Sequence, residues 1–178
     1  MILNKPTIHL DVYEIHGTDK LNVWKIFEKH HYLSATLNTS AVCFVAVWEG
    51  VLVAFSANLV MPGRIPPLYE GDCRKKYRES RLVVLPDYQG LGIGTSFSEC
   101  VGEIFLRRNY RYFSRTAHLK MGVHREESTC WRATSTNQVS REKAQKCSKN
   151  EAWHNYKLDT KRICFSHEYL GKNKWSIN

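Results

Sequence analysis

The chain has 178 residues, a net charge of +9, and 43% hydrophobic residues of which a good share is aromatic. Those values suit one compact domain, residues 1–178, with a sizeable core, and exclude a disordered or fibrous chain. No apolar run reaches the length of a membrane span, and the start, MILNKPTIHLDVYEIH, has neither a basic opening nor a long apolar stretch, so a cytoplasmic protein is expected.

The charge is lopsided. Residues 1–70 are net −1 and residues 71–178 are net +10. An excess of that size suggests an acidic partner, RNA or an acidic protein, with a merely soluble basic surface as the plain alternative. The six cysteines form no C-x-x-C pair, which favours reduced thiols over a disulfide framework, and no Cys/His spacing suits a metal.

In chain order, Ile8, Leu10 and Val12 alternate with polar residues and predict a half-buried strand. Thr18 is placed to cap a helix carrying Leu21, Trp24, Phe27 and His31 at helical spacing. A second short helix and loop are expected up to Ser40. Ala41 to Trp48 and Val51 to Val60 read as two strands joined across Glu49-Gly50. Residues 61–77, with Pro62, Pro66 and Pro67, read as a long loop. Glu79 to Leu85 is the next strand, and from Gly94 to Arg108 the residues Phe97, Cys100, Val101, Ile104 and Phe105 form one helical stripe. Arg111 to Thr116 follows as a strand. Residues 132–150 read as a loop or exposed helix, inside a divergent basic segment at about 117–155, and Lys161 to Tyr169 as a last strand.

The run RESRLVVLPDYQGLGIGT, from Arg78 to Thr95, carries the chemistry. A strand ends at Pro86 and a glycine-rich loop opens onto a helix, where unpaired N–H groups and the positive end of the helix dipole form a seat for phosphate oxygens. A Walker A loop needs Gly-Lys-Ser/Thr, but Thr95 and Ser96 follow Gly94. A dinucleotide loop needs G-x-G-x-x-G; from Gly90 the third position is Thr95, and from Gly92 it is Phe97. What stands is Q-x-x-G-x-G, from Gln89 to Gly94. A tight turn alone does not need three alternating glycines, each of which costs about 0.5–1 kcal/mol of chain entropy.

This stretch resembles the acyl-CoA-binding signature of the GNAT superfamily of N-acetyltransferases, closely over Arg78 to Arg108 and more loosely over Ile8 to Ser114. The resemblance implies an α/β (α+β) fold: a mixed, mostly antiparallel sheet flanked by helices, with two splayed central strands holding acetyl-CoA between them. It implies that Gln89, Gly90, Leu91, Gly92, Ile93, Gly94 and Thr95 seat the diphosphate, and that the backbone of Leu82, Val83 and Val84 pairs with the pantetheine arm.

Acetyl transfer to an amine needs a base for the ammonium proton and a proton source for the departing thiolate. Glu79, at the start of the strand, stands roughly where several superfamily members carry a glutamate base; the plain alternative is a surface carboxylate paired with Arg78 or Arg81. Strand alternation would put Glu79, Arg81, Val83 and Leu85 on one face. His118 is a second candidate base, and His30 and His31 a third. Many relatives supply the acid from a tyrosine, but HLKMGVHREESTCWRATS has none, which leaves Ser128, Cys130 or solvent. Trp24, Phe27, Tyr32, Trp131 and Trp153 either line an acceptor cleft or fill the core, with the core favoured for Trp24 and Phe27. The expected acceptor is a primary amine on a macromolecule, protein or aminoacyl-tRNA. The rival is a non-catalytic nucleic-acid-binding or acyl-CoA-sensing module. Monomer and dimer both remain open.

Overall fold

The computed structural model describes residues 8–31, 36–63, 67–140 and 163–172. Two compact units share the chain: residues 1–60 with 79–101, and residues 61–78 with 102–178.

In the first unit, strands β1 (Asp11–Ile15), β2 (Val42–Trp48), β3 (Val51–Val60) and β4 (Lys76–Val84, from Glu79 onward) lie in that order. β1–β2 and β2–β3 are antiparallel. β1 begins three residues later than the alternation of Ile8, Leu10 and Val12 suggests, because its pairing runs from Asp11 opposite Val47 to Ile15 opposite Cys43. Glu49 and Gly50 turn the β2–β3 hairpin with φ of 50° and 79°. Two successive positive φ values match the right-handed strand twist, which explains the glycine.

Helix α1 (Asp19–Phe27) follows Thr18, which stands at the cap position without a side-chain hydrogen bond; its carbonyl instead accepts from the amides of Leu21 and Asn22. Trp24 and Phe27 are buried in a cluster with Ala41, Cys43, Val45, Phe55, Ala57 and Val83, so both belong to the core. Phe55 meets the Trp24 ring at 5.1 Å and the Phe27 ring at 5.7 Å. Leu21, expected inside, is exposed, since the cluster closes only over the later turns of α1. Burial pushes the Cys43 thiol up to about 11, so it stays protonated at neutral pH.

Helix α2 (Ile93–Arg107) carries the expected stripe, with Phe97, Val101 and Phe105 fully buried. It ends at Asn109, whose φ of 60° lets the Asn109 and Tyr110 amides close back onto the carbonyls of Leu106 and Phe105.

The second unit holds β5 (Arg111–Thr116), α3 (Leu119–Glu127), β6 (Trp131–Ala133), β7 (Val139–Ser140) and β8 (Ile163–Tyr169). β8 pairs antiparallel with β5, β6 and β7. α3 stands in a stretch after Thr116 to which spacing assigns no element, and β6 and β7 fall largely where a loop or exposed helix was expected. Residues 141–162, which include most of the expected loop or exposed helix, lie outside the described residues, as do Tyr32 and Trp153. Trp131 is core rather than cleft: it is buried, its ring 4.9 Å from that of Tyr169, with the Arg125 guanidinium 4.5 Å above it.

Two glycines set helix distance here. A Cβ at Gly102 would lie 2.5 Å from Tyr169 Cδ1, and one at Gly122 would enter the Phe165 ring. In the same unit, a buried ionic cluster ties the loop before β4 to the sheet. Arg111 grips Glu168 with Nε and a terminal nitrogen at 2.6 and 3.0 Å, and Arg132 adds a bond of 2.6 Å. Asp72, its side chain fully buried, accepts from Arg74 at 2.8 and 3.0 Å and lies 3.8 Å from Arg111.

Gly-to-Ala inside a helix normally stabilises by about 0.5–1 kcal/mol. Gly122→Ala is expected to do the reverse, losing about 1–3 kcal/mol in urea unfolding, because the Phe165 ring must move. The Arg74 hydrogen bond holds the Asp72 carboxyl far below the usual carboxylate range. Its stabilising contribution is therefore complete above the unfolded-state pKa of about 4 and disappears as pH falls through the folded value. Urea unfolding repeated from about pH 5 to about pH 2 should show wild type losing more stability than Asp72→Asn.

Candidate active site

The loop after β4 is built from its backbone outward. Pro86 to Tyr88 form one 3-10 turn, and Gln89 follows with extended backbone, its side-chain amide donating to the Val84 carbonyl at 2.9 Å. Gly90 and Gly92 both take φ of +83°, while Gly94 already lies within α2. The three glycines thus do two jobs: two hold left-handed backbone, and the third sits in the first helical turn. At the start of α2, the Thr95 hydroxyl donates to the Gly92 carbonyl at 2.7 Å and the Ser96 amide to the same oxygen at 3.1 Å. Residues 89–92 are exposed.

A Cβ added at Gly90 would meet no heavy atom within 4 Å, and one at Gly92 only Thr95 Oγ1 at 4.0 Å. The loop therefore leaves open room over its backbone, at the positive end of a fifteen-residue helix. That fits the diphosphate of an acyl coenzyme A, which needs amide donors and close backbone approach rather than a charged side chain. In β4, Val83 is buried in the α1 cluster, while Leu82 and Val84 are half-buried.

Glu79 sits in β4 and accepts a hydrogen bond from the hydroxyl of Ser98, on α2, at 2.7 Å. Ser98 is fully buried, although the hydrophobic stripe gives no place to it. Val83 and Leu85 pack in the α1 cluster, whereas the partner of Glu79 stands on α2, outside that cluster. The expected sharing of one face by Glu79, Val83 and Leu85 does not hold along this strand. The Ser98 donor fixes the direction of the carboxylate.

A cleft of about 530 Å³ opens in the same unit, between residues 36–41 after α1, Ala57 and Leu59 of β3, and Ser80 and Arg81 of β4. Arg81 donates to the Ser80 carbonyl at 2.9 Å and to the Thr36 carbonyl at 3.4 Å, spanning the cleft's two walls. Chain order gives no hint of this cleft, because its walls come from three separate segments, with Thr36 and Arg81 lying 45 residues apart. His31, expected beside an acceptor groove, rests its ring edge-on to Trp24 at 5.8 Å, and His30 closes a short 3-10 turn after α1.

His118 and Ser128 belong to the second unit and stand at the two ends of α3. The helix between them sets them roughly 15 Å apart, so they do not form a pair. His118 is exposed and caps the helix, its Nδ1 accepting the Met121 amide at 3.4 Å. Ser128 Oγ accepts the Cys130 amide at 3.2 Å and closes the far end.

Ala at position 92 must adopt a φ that costs an L-residue about 1–2 kcal/mol. Gly92→Ala is expected to shrink the rise in melting temperature that acetyl-CoA produces, with affinity falling roughly tenfold. Gly50→Ala, at a φ of +79° in the hairpin, serves as the control: similar lost stability with an unchanged coenzyme response.

The sequence model of the acetyltransferase (GNAT) family matches residues 9–114. No curated protein matches the chain in sequence. Among solved structures, the ribosomal-protein-S18-alanine N-acetyltransferase of Escherichia coli is similar at a TM-score of 0.58 and 13% identity, covering 96% of this chain and 99% of its own. Arabidopsis thaliana Naa50, solved with the bisubstrate analogue CoA-Ac-MVNAL, reaches a TM-score of 0.60 at 11% identity, covering 89% of this chain and 97% of its own. Arabidopsis thaliana NAA60, solved with acetyl-CoA, also reaches 0.60 at 11% identity, covering 90% and 98%. The matched residues run from before β1 into β5 and take in β4, the glycine loop and α2, more than half of the sequence. This chain belongs to the GNAT family of acetyltransferases, whose members use acetyl-CoA to acylate amines.

Proposed function

We propose that the chain transfers an acetyl group from acetyl-CoA directly to a primary amine on a protein, with Glu79 as the base. The observation that carries this reading is the bond from the buried Ser98 hydroxyl to Glu79 in the strand that feeds the glycine loop. Support for a protein acceptor comes from the fold neighbours, one of which acts on the alanine of a ribosomal protein and another of which was solved with an acetylated peptide joined to CoA.

Each chain residue has a separable task. The amides of Gly90 to Thr95 hold the coenzyme's diphosphate, and the backbone of Leu82, Val83 and Val84 aligns its extended arm. When bound, the coenzyme supplies an acyl thioester. Glu79 accepts a proton from the acceptor ammonium, directly or through one water, so that the nitrogen lone pair becomes available. Ser98 keeps the carboxylate aimed. The departing sulfur takes its proton from solvent or from Ser128, and His118 is the alternative base.

Glu79→Gln removes the proton acceptor while keeping the Ser98 bond possible. Turnover at neutral pH is expected to fall by roughly 10²–10⁴, while the melting shift with acetyl-CoA persists. Unchanged turnover would move the base to His118, and His118→Gln read in the same assay locates it there.

A further inference from the structure

His167 is the one fully buried histidine among the described residues, and acetyl transfer does not use it. In β8 it stands opposite Ser114 of β5 and Ala133 of β6, on the face of the sheet that also carries Phe165. α3 covers that face: Gly122 meets the Phe165 ring, and the buried Arg125 side chain bonds to Ser114. Neither nitrogen of the His167 ring has a hydrogen-bond partner among the described residues, although Nε2 lies 3.4 Å from Glu126 Oε1. That oxygen already accepts from the side-chain amides of Asn137 at 2.6 Å and Gln138 at 3.0 Å. The turn bearing those amides is itself fixed to β8, where Asn137 Oδ1 accepts the Ser166 amide at 2.8 Å.

We propose that α3 is latched onto β8 only while His167 is neutral, and that a proton taken up by this ring releases the helix. Protonation makes the ring a buried cation with two N–H donors. Nδ1 has no partner among the described residues to receive one of them, and the oxygen nearest Nε2 is already shared by two amides. Arg125, a buried cation on the same helix, repels a second positive charge. An open α3 relieves all three penalties by giving the imidazolium to water.

Few charged groups face the ring. α3 supplies Arg125 and Glu126, the turn after β6 supplies only the amides on Glu126, and β5 and β8 add the phenols Tyr112 and Tyr169. Glu168, held by Arg111 and Arg132, alternates to the opposite face. Burial lowers the His167 pKa below the ordinary imidazole value, Glu126 opposes that shift, and Arg125 adds to it. With the folded value lowered, the closed state binds fewer protons than an open one. Closure is therefore fully stable above about pH 6.5 and weakens as pH falls below it. α3 bears His118 and Ser128 at its ends, so the latch sets the place of both, whichever of them takes part in transfer.

The test is amide hydrogen exchange of the full chain at about pH 7.5 and about pH 5.5, corrected for intrinsic rates, with α3 read against α1 and β2. In wild type, the opening of α3 is expected to rise by roughly fivefold to tenfold on acidification while α1 and β2 keep their protection. His167→Gln, which cannot take the charge, should remove that response while His118 and His124 stay in place. A response that survives His167→Gln would overturn the latch, and so would an unresponsive wild-type α3 or equal loss of protection in α1. If His167→Gln fails to fold, NMR of the wild-type ring decides. Its Cε1–H is expected to titrate below the ordinary value of about 6.5, and titration at or above that value would overturn the proposal.

Discussion

A side chain resists a backbone φ of +83°, and the loop leading into α2 adopts that angle twice. This constraint governs the rest of the site. Because Gly90 and Gly92 carry no Cβ, the loop can turn sharply from β4 into the helix and still leave its backbone open above. Because the turn is sharp, α2 starts at once, and the positive end of its dipole comes to the loop rather than to bulk solvent. Thr95 and Ser96 both bond to the Gly92 carbonyl, which fixes where the helix begins. A charged side chain is not needed to bind an anion at such a place, and the loop from Gln89 to Thr95 holds none.

In the first unit, the start of α2 is bonded to β4 close to that loop. α2 buries Phe97 and Val101, and between them Ser98 is buried as well, its hydroxyl satisfied by Glu79. A buried hydroxyl without a partner costs about 1–3 kcal/mol, so the bond holds helix and strand in register as much as it orients the carboxylate. The α1 cluster does the corresponding work on the other wall. Ala41 and Ala57 belong both to that core and to the lining of the cleft, so the shape of the cleft follows from the packing of Trp24 and Phe27 on Phe55.

The second unit is held in a different way. Its aromatic stack of Phe105 on Tyr112, 5.2 Å apart and nearly parallel, is ordinary core. Arg111, Glu168 and Asp72 are buried charges, and removing them from water is costly. The cost is offset because each finds charged partners in good geometry, with Glu168 gripped by two arginines and Asp72 by Arg74 and its neighbouring amides. Such a cluster adds little net stability compared with apolar packing, but it punishes any other pairing of these strands.

The sequence by itself determined the glycine loop, the stripe of α2, the β2–β3 hairpin and the strand Arg111–Thr116, because each is written in local spacing or in a backbone angle that only glycine takes readily. It also determined the family, since that rests on the same loop and strand. α3 was illegible for a physical reason: its inward residues are Gly122 and Arg125, while Leu119 and Val123 face out, which reverses the pattern a reader looks for. β6 and β7 are too short to show any period. Only the tertiary structure decided that Ser98 meets Glu79, that His118 caps a helix, and that Arg81 spans a cleft whose walls come from distant segments. Those facts depend on which elements pack together, and spacing along a chain carries no record of contacts across it.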